Sequence, residues 1–167
     1  FKQDGQDCET IIEGTIMDVQ LAQPILPHSK TVFTLDFEAQ VPEQIRRSGR
    51  NSTEGEALSM TQWYPKIAHY DQFGWHLDEY IGREFVAPFG NYDVKINIQK
   101  DYVIGSSGKL QNPNEVKGYV SNSKLKESKG KVSWHYKAEN ILDFAWGADK
   151  NFVVSSEKVP NGPLVYF

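Results

Sequence analysis

Alternating apolar and polar residues are the main pattern along this chain, and such alternation predicts strands. The clearest run covers residues 31–41, where Phe33, Leu35 and Phe37 fall on one side and polar residues fall between them. Because successive strand side chains point to opposite faces of a sheet, this run predicts a half-buried strand. A shorter alternation covers residues 17–21, and two prolines between the runs predict a turn, so we expect a hairpin.

Further strands are predicted downstream by the same criterion. Residues 92–99 and 132–137 alternate clearly, and short apolar segments at 102–104 and 152–154 extend the set. No window sustains the helical spacing of apolar residues. Polar loops rich in Gly and Ser lie between the strands, and we expect the loop at 112–131 to be mobile. Several short strands separated by turns predict an all-β, largely antiparallel fold, either a sandwich or an open curved sheet.

Length and composition limit the classes of protein to which this chain could belong. The chain has 167 residues, a length typical of one domain. Its net charge of -4 at pH 7 argues against a nucleic-acid binder, which would concentrate positive charge on one face. No apolar run is long enough to span a bilayer. Cys8 is the single cysteine, so neither an internal disulfide nor a thiolate metal cluster can form.

The densest candidate chemistry lies in the stretch QWYPKIAHYDQFGWH, residues 62–76. This stretch and the residues after it contain five possible metal ligands: His69, Asp71, His76, Asp78 and Glu79. They lack the HExxH spacing that directs two imidazoles from one helical face. We therefore favour histidines and carboxylates in a solvated loop beside aromatic anchors, with a metal site carried by a loop as the alternative.

Other candidate catalytic and binding residues give less specific signals. The carboxylates Asp71, Asp78, Glu79 and Glu84 could form an acid–base pair for glycoside hydrolysis, but sequence alone does not give their separation. Ser106 and Ser107 lie in a Gly-bounded turn without the strand-to-helix elbow of a nucleophile. The aromatic residues could form a carbohydrate-stacking platform or pack in a core or an interface. That set comprises Trp63, Tyr64, Trp75, Tyr80 and Phe85.

Longer motifs carry a family resemblance. The segments VPEQIRRSGR, EGEALSMTQWYPK, FGNYDVKINIQKDYVIGSSGKLQNPNE and WHYKAENILDFAWGADKNF resemble the amino-terminal domain of bacterial zinc aminopeptidases of the gluzincin family. That family includes aminopeptidase N and leukotriene hydrolase, and the subgroup resembled is common in Bacteroidetes. The resemblance runs from about Gly14 to Phe152. It implies a saddle-shaped, largely antiparallel β domain beside a thermolysin-like catalytic domain of the same polypeptide.

The resemblance also implies what this chain would and would not contribute. The family's zinc ligands, a helical HExxH and a later glutamate, do not occur in the sequence, so we expect a non-catalytic domain without metal or cofactor. Zinc is expected in the catalytic domain, which would lie outside residues 1–167. The chain is accordingly expected to be a truncated single domain with an exposed sheet edge or apolar patch. The resemblance also implies an exported, periplasmic or cell-envelope location.

Specific residues follow from the same resemblance. In related enzymes, a loop reading roughly TQ-x-E reaches the active-site rim and holds the free amino group of the peptide substrate. TQWY places Gln62 and Tyr64 on these positions, although the phenol of Tyr64 lacks the carboxylate charge that pairs with an ammonium. Trp63, Trp75 and Trp146 are expected to be packing anchors. The alternative function is a freestanding carbohydrate- or protein-binding β-sandwich.

Overall fold

The computed structural model describes residues 1–77 and 87–167. The chain divides into two compact units, Phe1–Gln40 with Ala68–Phe85, and Val41–Ile67 with Val86–Phe167. The described residues contain no α-helix, and their strands are all short except two. The strands are β1 Lys2–Gln3, β2 Gln6–Asp7, β3 Glu9–Glu13, β4 Ile16–Gln20, β5 Phe33–Thr34, β6 Gly49–Arg50, β7 Leu58–Met60, β8 Tyr70–Asp71, β9 Gly74–Trp75, β10 Gly90–Gln99, β11 Val103–Ser106, β12 Lys109–Leu110, β13 Glu127–Ser128, β14 Lys131–Ile141, β15 Trp146–Asp149, β16 Ser156–Lys158 and β17 Leu164–Tyr166.

The second unit contains the hydrophobic core. Its first sheet has the order β10-β14-β12, with β13 also paired to β14, and its second sheet has the order β11-β15-β7-β6. All of these strand pairs are antiparallel. Inward-facing residues of both sheets join one buried cluster, which includes Trp134 and Tyr136 from β14 and Ile104 from β11. Two antiparallel sheets that share one core form the arrangement of a sandwich, so the predicted all-β class is confirmed.

One backbone carbonyl connects the two sheets. The phenol of Tyr136 donates a hydrogen bond to the carbonyl oxygen of Ile104 at 2.9 Å, and the phenol of Tyr119 donates to the same oxygen at 2.9 Å. Burial raises the pKa of Tyr136, so this phenol remains protonated and serves as a donor. A carbonyl has two lone pairs, so it can accept both bonds.

The loop between β12 and β14 is attached to the core, although its composition is that of a flexible segment. It contains a 3₁₀-helix at Pro113–Glu115, preceded by Asn112. The side-chain amide of Asn112 donates to the carbonyl of Ser133 at 2.9 Å and accepts from the amide of His135 at 3.0 Å. This amide therefore continues the hydrogen bonding of β14 beyond the end of β12. Tyr119 attaches the next part of the loop to the core.

The first unit consists of small separate sheets. β1 pairs with β2 and β5, β3 pairs with β4, and β8 pairs with β9, all antiparallel. The β3–β4 hairpin turns at Gly14, whose φ of 58° suits the first central position of a two-residue hairpin turn. Ile11 and Ile12 on β3 are 65% and 72% exposed. Since adjacent residues point to opposite faces, the described contacts leave both faces of this hairpin open to solvent.

Two predictions about this unit are wrong. Only Phe33–Thr34 of the run at 31–41 forms a strand, because β1 is two residues long and no described strand pairs with the rest. The burial of side chains still alternates from residue 31 to residue 36. The predicted hairpin between 17–21 and 31–41 is also wrong, because β4 pairs with β3 instead.

In the second unit the long alternations at 92–99 and 132–137 are confirmed as β10 and β14, and the segment at 102–104 largely coincides with β11. The predicted strand at 152–154 is wrong, since the strand in this region, β16, begins at Ser156. Alternation shows which side chains share a face, whereas a strand also needs a backbone partner.

Candidate functional site

The TQWY segment begins where β7 ends, and strand register explains which residues it meets. β7 pairs antiparallel with β15, with Met60 opposite Trp146. Two residues after Met60 and three residues before Trp146, the chain therefore brings Gln62 near Asp143. Gln62 has a φ of 51°, in the left-handed region that few residues other than glycine adopt. Such a backbone is held by its surroundings at a cost of about 1–3 kcal/mol, which is common at functional sites.

Asp143 is the residue on which this segment converges. Its Oδ2 accepts a hydrogen bond from Gln62 Nε2 at 2.9 Å, and its Oδ1 accepts one from the phenol of Tyr64 at 2.8 Å. The ammonium of Lys66 lies 2.7 Å from the same Oδ1. We call Gln62, Tyr64, Lys66 and Asp143 the Asp143 cluster. The side chains of Lys66 and Asp143 are 20% and 18% exposed, so this ion pair is largely shielded from water.

The protonation states in the cluster follow from these contacts. Burial by itself raises the pKa of the Asp143 carboxyl, but hydrogen bonds from Lys66 and Tyr64 outweigh it and bring the pKa below its ordinary value of 3.8. Burial, with contacts to Tyr92 and Asp143, raises the pKa of Tyr64. At neutral pH the site therefore holds a carboxylate at Asp143 and a protonated phenol at Tyr64.

The ammonium of Lys66 is surrounded by three different groups. Besides Asp143, it donates to the side-chain oxygen of Gln62 at 2.8 Å, and it lies 5.1 Å from the centre of the Tyr64 ring. A carboxylate, an amide oxygen and an aromatic face are all favourable neighbours for a primary ammonium. The Asp143 cluster therefore surrounds the ammonium of Lys66 with three favourable partners.

Aromatic packing holds the cluster in place. The indole of Trp63 donates to the carbonyl of Phe144 at 2.9 Å and packs edge-on against Trp146, with ring centres 6.4 Å apart. The phenol oxygens of Tyr64 and Tyr92 lie 3.0 Å apart. Both Trp63 and Trp146 pack against the buried core of the second unit. These contacts hold the segment that bears Gln62 and Tyr64 against the sheet.

The remaining predicted residues lie elsewhere. Trp75 lies on β9 in the first unit and is 59% exposed, with its ring 4.9 Å from that of Tyr70. Its role as a packing anchor stays a prediction. Tyr80, Phe85, Asp78, Glu79 and Glu84 lie outside the described residues. The hydroxyl of Ser106 accepts a hydrogen bond from the amide of Gly108, and the hydroxyl of Ser107 bonds to the backbone of Ala145, just before β15.

Sequence reasoning did not single out Asp143, because it lies 79 residues after Tyr64. A local signal was present, since Asp143 is flanked by Leu142 and Phe144 within the apolar run ILDFAW. A carboxylate within an apolar run requires polar partners when it is buried.

The first unit holds a second group of possible ligands. His69, Asp71 and His76 offer ligand atoms that all lie within 4.8 Å of one another, and all three residues are half-buried. They occupy the β8–β9 hairpin and its flanks. Two imidazoles and a carboxylate could hold a transition-metal ion.

Comparisons with protein-family models, with curated proteins and with solved structures found no match to this chain. Among the described residues no helix has the length and apolar character needed to cross a membrane.

Proposed function

We propose that this chain is a non-catalytic β domain of a zinc metallopeptidase of the aminopeptidase type. In this proposal it packs beside a catalytic domain of the same polypeptide and forms one wall of the peptide-binding cleft. The Asp143 cluster is the part of the wall that binds the free amino group of the peptide. The observation that supports the proposal is the ammonium of Lys66 held by Asp143 and Gln62 against the ring of Tyr64.

The chemistry of a peptide amino terminus matches that of the group already bound. Both are primary ammonium ions with three N–H donors and one positive charge. The family resemblance placed amino-group recognition on Gln62 and Tyr64, and those two side chains meet Asp143 in the structure. A carboxylate pairs with an ammonium by a charge-assisted hydrogen bond, which a phenol alone does not provide.

Lys66 has a defined role in this proposal, that of an internal competitor. A peptide amino group can bind only when the flexible side chain of Lys66 leaves the cluster. The reason is that the same two oxygens, Oδ1 of Asp143 and Oε1 of Gln62, would accept hydrogen bonds from either ammonium. If Lys66 occupies the cluster about nine-tenths of the time, the apparent affinity for a peptide falls about tenfold. Removal of the ammonium should then restore that affinity.

The experiment is a calorimetric titration of the chain with a tripeptide amide whose amino terminus is either free or acetylated. We expect Lys66→Met to bind the free peptide about tenfold more tightly than the wild type, because the competitor is gone. The acetylated peptide should not bind. Asp143→Asn should abolish binding of the free peptide. Lys100→Met is the matched control, since Lys100 pairs with Glu127 at 2.9 Å on an exposed hairpin away from the cluster.

Two outcomes would contradict amino-group recognition: no binding of the free peptide to Lys66→Met, or equal binding of the acetylated peptide. Whether this chain is part of a metallopeptidase is tested separately by the sequence of the reading frame that encodes it. An HExxH with a later glutamate downstream of residue 167 is expected. A frame that encodes a complete protein without these motifs would exclude the metallopeptidase.

The second candidate function, a carbohydrate- or protein-binding module, is favoured by the exposed aromatics of the β8–β9 hairpin. Tyr70, Phe73 and Trp75 are 63%, 84% and 59% exposed. Exposed aromatic rings can stack on sugar faces or anchor a protein partner. Quenching of tryptophan fluorescence by oligosaccharides, lost in Trp75→Ala, would support a sugar-binding module.

A further inference from the structure

The β8–β9 hairpin places three potential ligands on one face. Tyr70 pairs with Trp75 and Asp71 pairs with Gly74, and the amide of His76 donates to the carbonyl of His69 at 2.8 Å. His76 therefore lies opposite His69 in an extension of the ladder. Because side chains alternate along a strand, residues 69 and 71 share a face, and residue 76 faces it from the other strand. The aromatic pair Tyr70 and Trp75 occupies the opposite face.

The distances within this face suit a shared ion. Asp71 Oδ2 lies 2.9 Å from His76 Nε2 and 3.9 Å from His69 Nε2, and the two imidazole rings are 5.2 Å apart. In a tetrahedral zinc site with bonds of about 2.0–2.1 Å, neighbouring ligand atoms are about 3.3 Å apart. The observed separations lie on both sides of that value. All three ligand atoms lie within 4.8 Å of one another, a grouping compact enough to surround one ion.

The hairpin turn orients the carboxylate. Asp71 Oδ1 accepts a hydrogen bond from the backbone amide of Phe73 at 2.8 Å, which leaves Oδ2 directed to the imidazoles. Hydrogen bonds of this kind orient the ligands in metal sites. Gly74, with a φ of 100°, provides the backbone conformation that closes the turn. The turn that fixes the carboxylate is thus the same turn that brings the two histidines opposite each other.

We propose that His69, Asp71 and His76 form a binding site for a divalent transition-metal ion of the zinc class. The ion takes one nitrogen from each imidazole and one oxygen from Asp71, and water or a further ligand completes the usual four positions. Two nitrogen ligands favour zinc, copper or nickel over magnesium and calcium, which prefer oxygen ligands. The site is independent of the amino-group recognition proposed above, because it shares no residue with the Asp143 cluster.

The test is a titration of the chelator-treated chain with zinc sulfate, followed by calorimetry, in a Cys8→Ser background that removes the only thiol. We expect one zinc ion per chain. His69→Ala and His76→Ala should each weaken binding more than about 100-fold, since loss of a direct ligand exceeds the 10–100-fold cost of losing a partner that only orients one. Magnesium should not compete.

His135→Ala is the matched control variant. His135 pairs with Asp93 at 2.6 Å, so it is also a histidine–carboxylate pair, but Lys137 lies 3.0 Å from the same carboxylate where a second imidazole would be needed. Its removal should leave zinc affinity unchanged. This control distinguishes a three-ligand site from ordinary binding of zinc to any histidine beside a carboxylate.

A second measurement does not depend on the folding of the variants. Addition of cobalt chloride to the wild-type chain should produce the visible absorption of a four-coordinate cobalt site. Addition of zinc should then remove this absorption. Absence of stoichiometric zinc binding to the wild type would overturn the proposal. Retention of wild-type affinity in His69→Ala and His76→Ala, each verified as folded by circular dichroism, would also overturn it.

Discussion

The two units of this chain bury their strands to very different degrees. In the second unit, β10 and β14 pair along almost their entire length, and Trp134 and Tyr136 on β14 are each 1% exposed. In the first unit, β4 is the only strand among the described residues that pairs with β3, and every residue of β3 is exposed. Isolated two-stranded hairpins are marginally stable in water, whereas two sheets over a common core are stable. Stability is therefore concentrated in the second unit, although both units consist of antiparallel pairs.

The largest expected effect tests this difference directly. Trp134→Ala should lower the free energy of unfolding by about 3–5 kcal/mol, because it removes a large buried side chain that stacks on Tyr136. Ile12→Ala, on the exposed strand β3, should change it by about 0.5 kcal/mol or less. Urea denaturation followed by circular dichroism measures both. Comparable losses in the two variants would contradict the concentration of stability in the second unit.

A smaller effect is expected from two glycines near β11. A Cβ at Gly108 would lie 2.9 Å from Phe144 Cε2 and 3.0 Å from the carbonyl oxygen of Lys137, whereas a Cβ at Gly105 would meet nothing within 4 Å. Gly108→Ala should therefore destabilise the chain by about 1–3 kcal/mol through overpacking. Gly105→Ala should be neutral or slightly stabilising. Thermal unfolding of the pair distinguishes tight packing at Gly108 from a general requirement for glycine in this connection.

The smallest expected effect concerns the Asp143 cluster. Asp143→Asn should lower the free energy of unfolding by about 1–2 kcal/mol, because it leaves the half-buried ammonium of Lys66 without its anion. The same change at an exposed pair, Glu127→Gln beside Lys100, should have less effect because water screens that pair.

The effect of Asp143 on stability should also depend on pH. The pKa of the Asp143 carboxyl is lower in the folded chain than its ordinary value of 3.8. The stability that this carboxylate contributes is therefore fully present when the pH is well above 3.8. It is lost as the pH falls below 3.8 towards the pKa of the folded chain. Denaturation curves below pH 4 should show a smaller loss for Asp143→Asn than for the wild type. Parallel curves would mean that the carboxylate contributes no stability.

Sequence patterns predicted the second unit better than the first, for a physical reason. In β10 and β14 the alternation coincides with long pairing on a sheet that has one buried face, so pattern and structure agree. At 31–41 the alternation is equally clear, but only two residues pair with a strand in the described part of the chain. β15 was missed because Ala148 and Asp149 are both buried, which removes the alternation. β16 and β17 were missed because all their residues are exposed.

The candidate site was predictable only in part. The family resemblance pointed to Gln62 and Tyr64, and each of these side chains contacts Asp143 in the structure. Asp143 joins them through the pairing of β7 with β15, a long-range contact that local sequence does not specify. The histidine cluster presented the opposite difficulty. Its residues were visible in the sequence, but their common face depends on a hairpin between strands of two residues each.

The attachment of the polar loop between β12 and β14 has a consequence for recognition. Asn112 and Tyr119 already fix this loop to β14 and to the carbonyl of Ile104. The conformational entropy of these residues is therefore lost during folding, before any partner arrives. A molecule that binds the loop would meet a preorganised surface, and little further ordering would oppose its association.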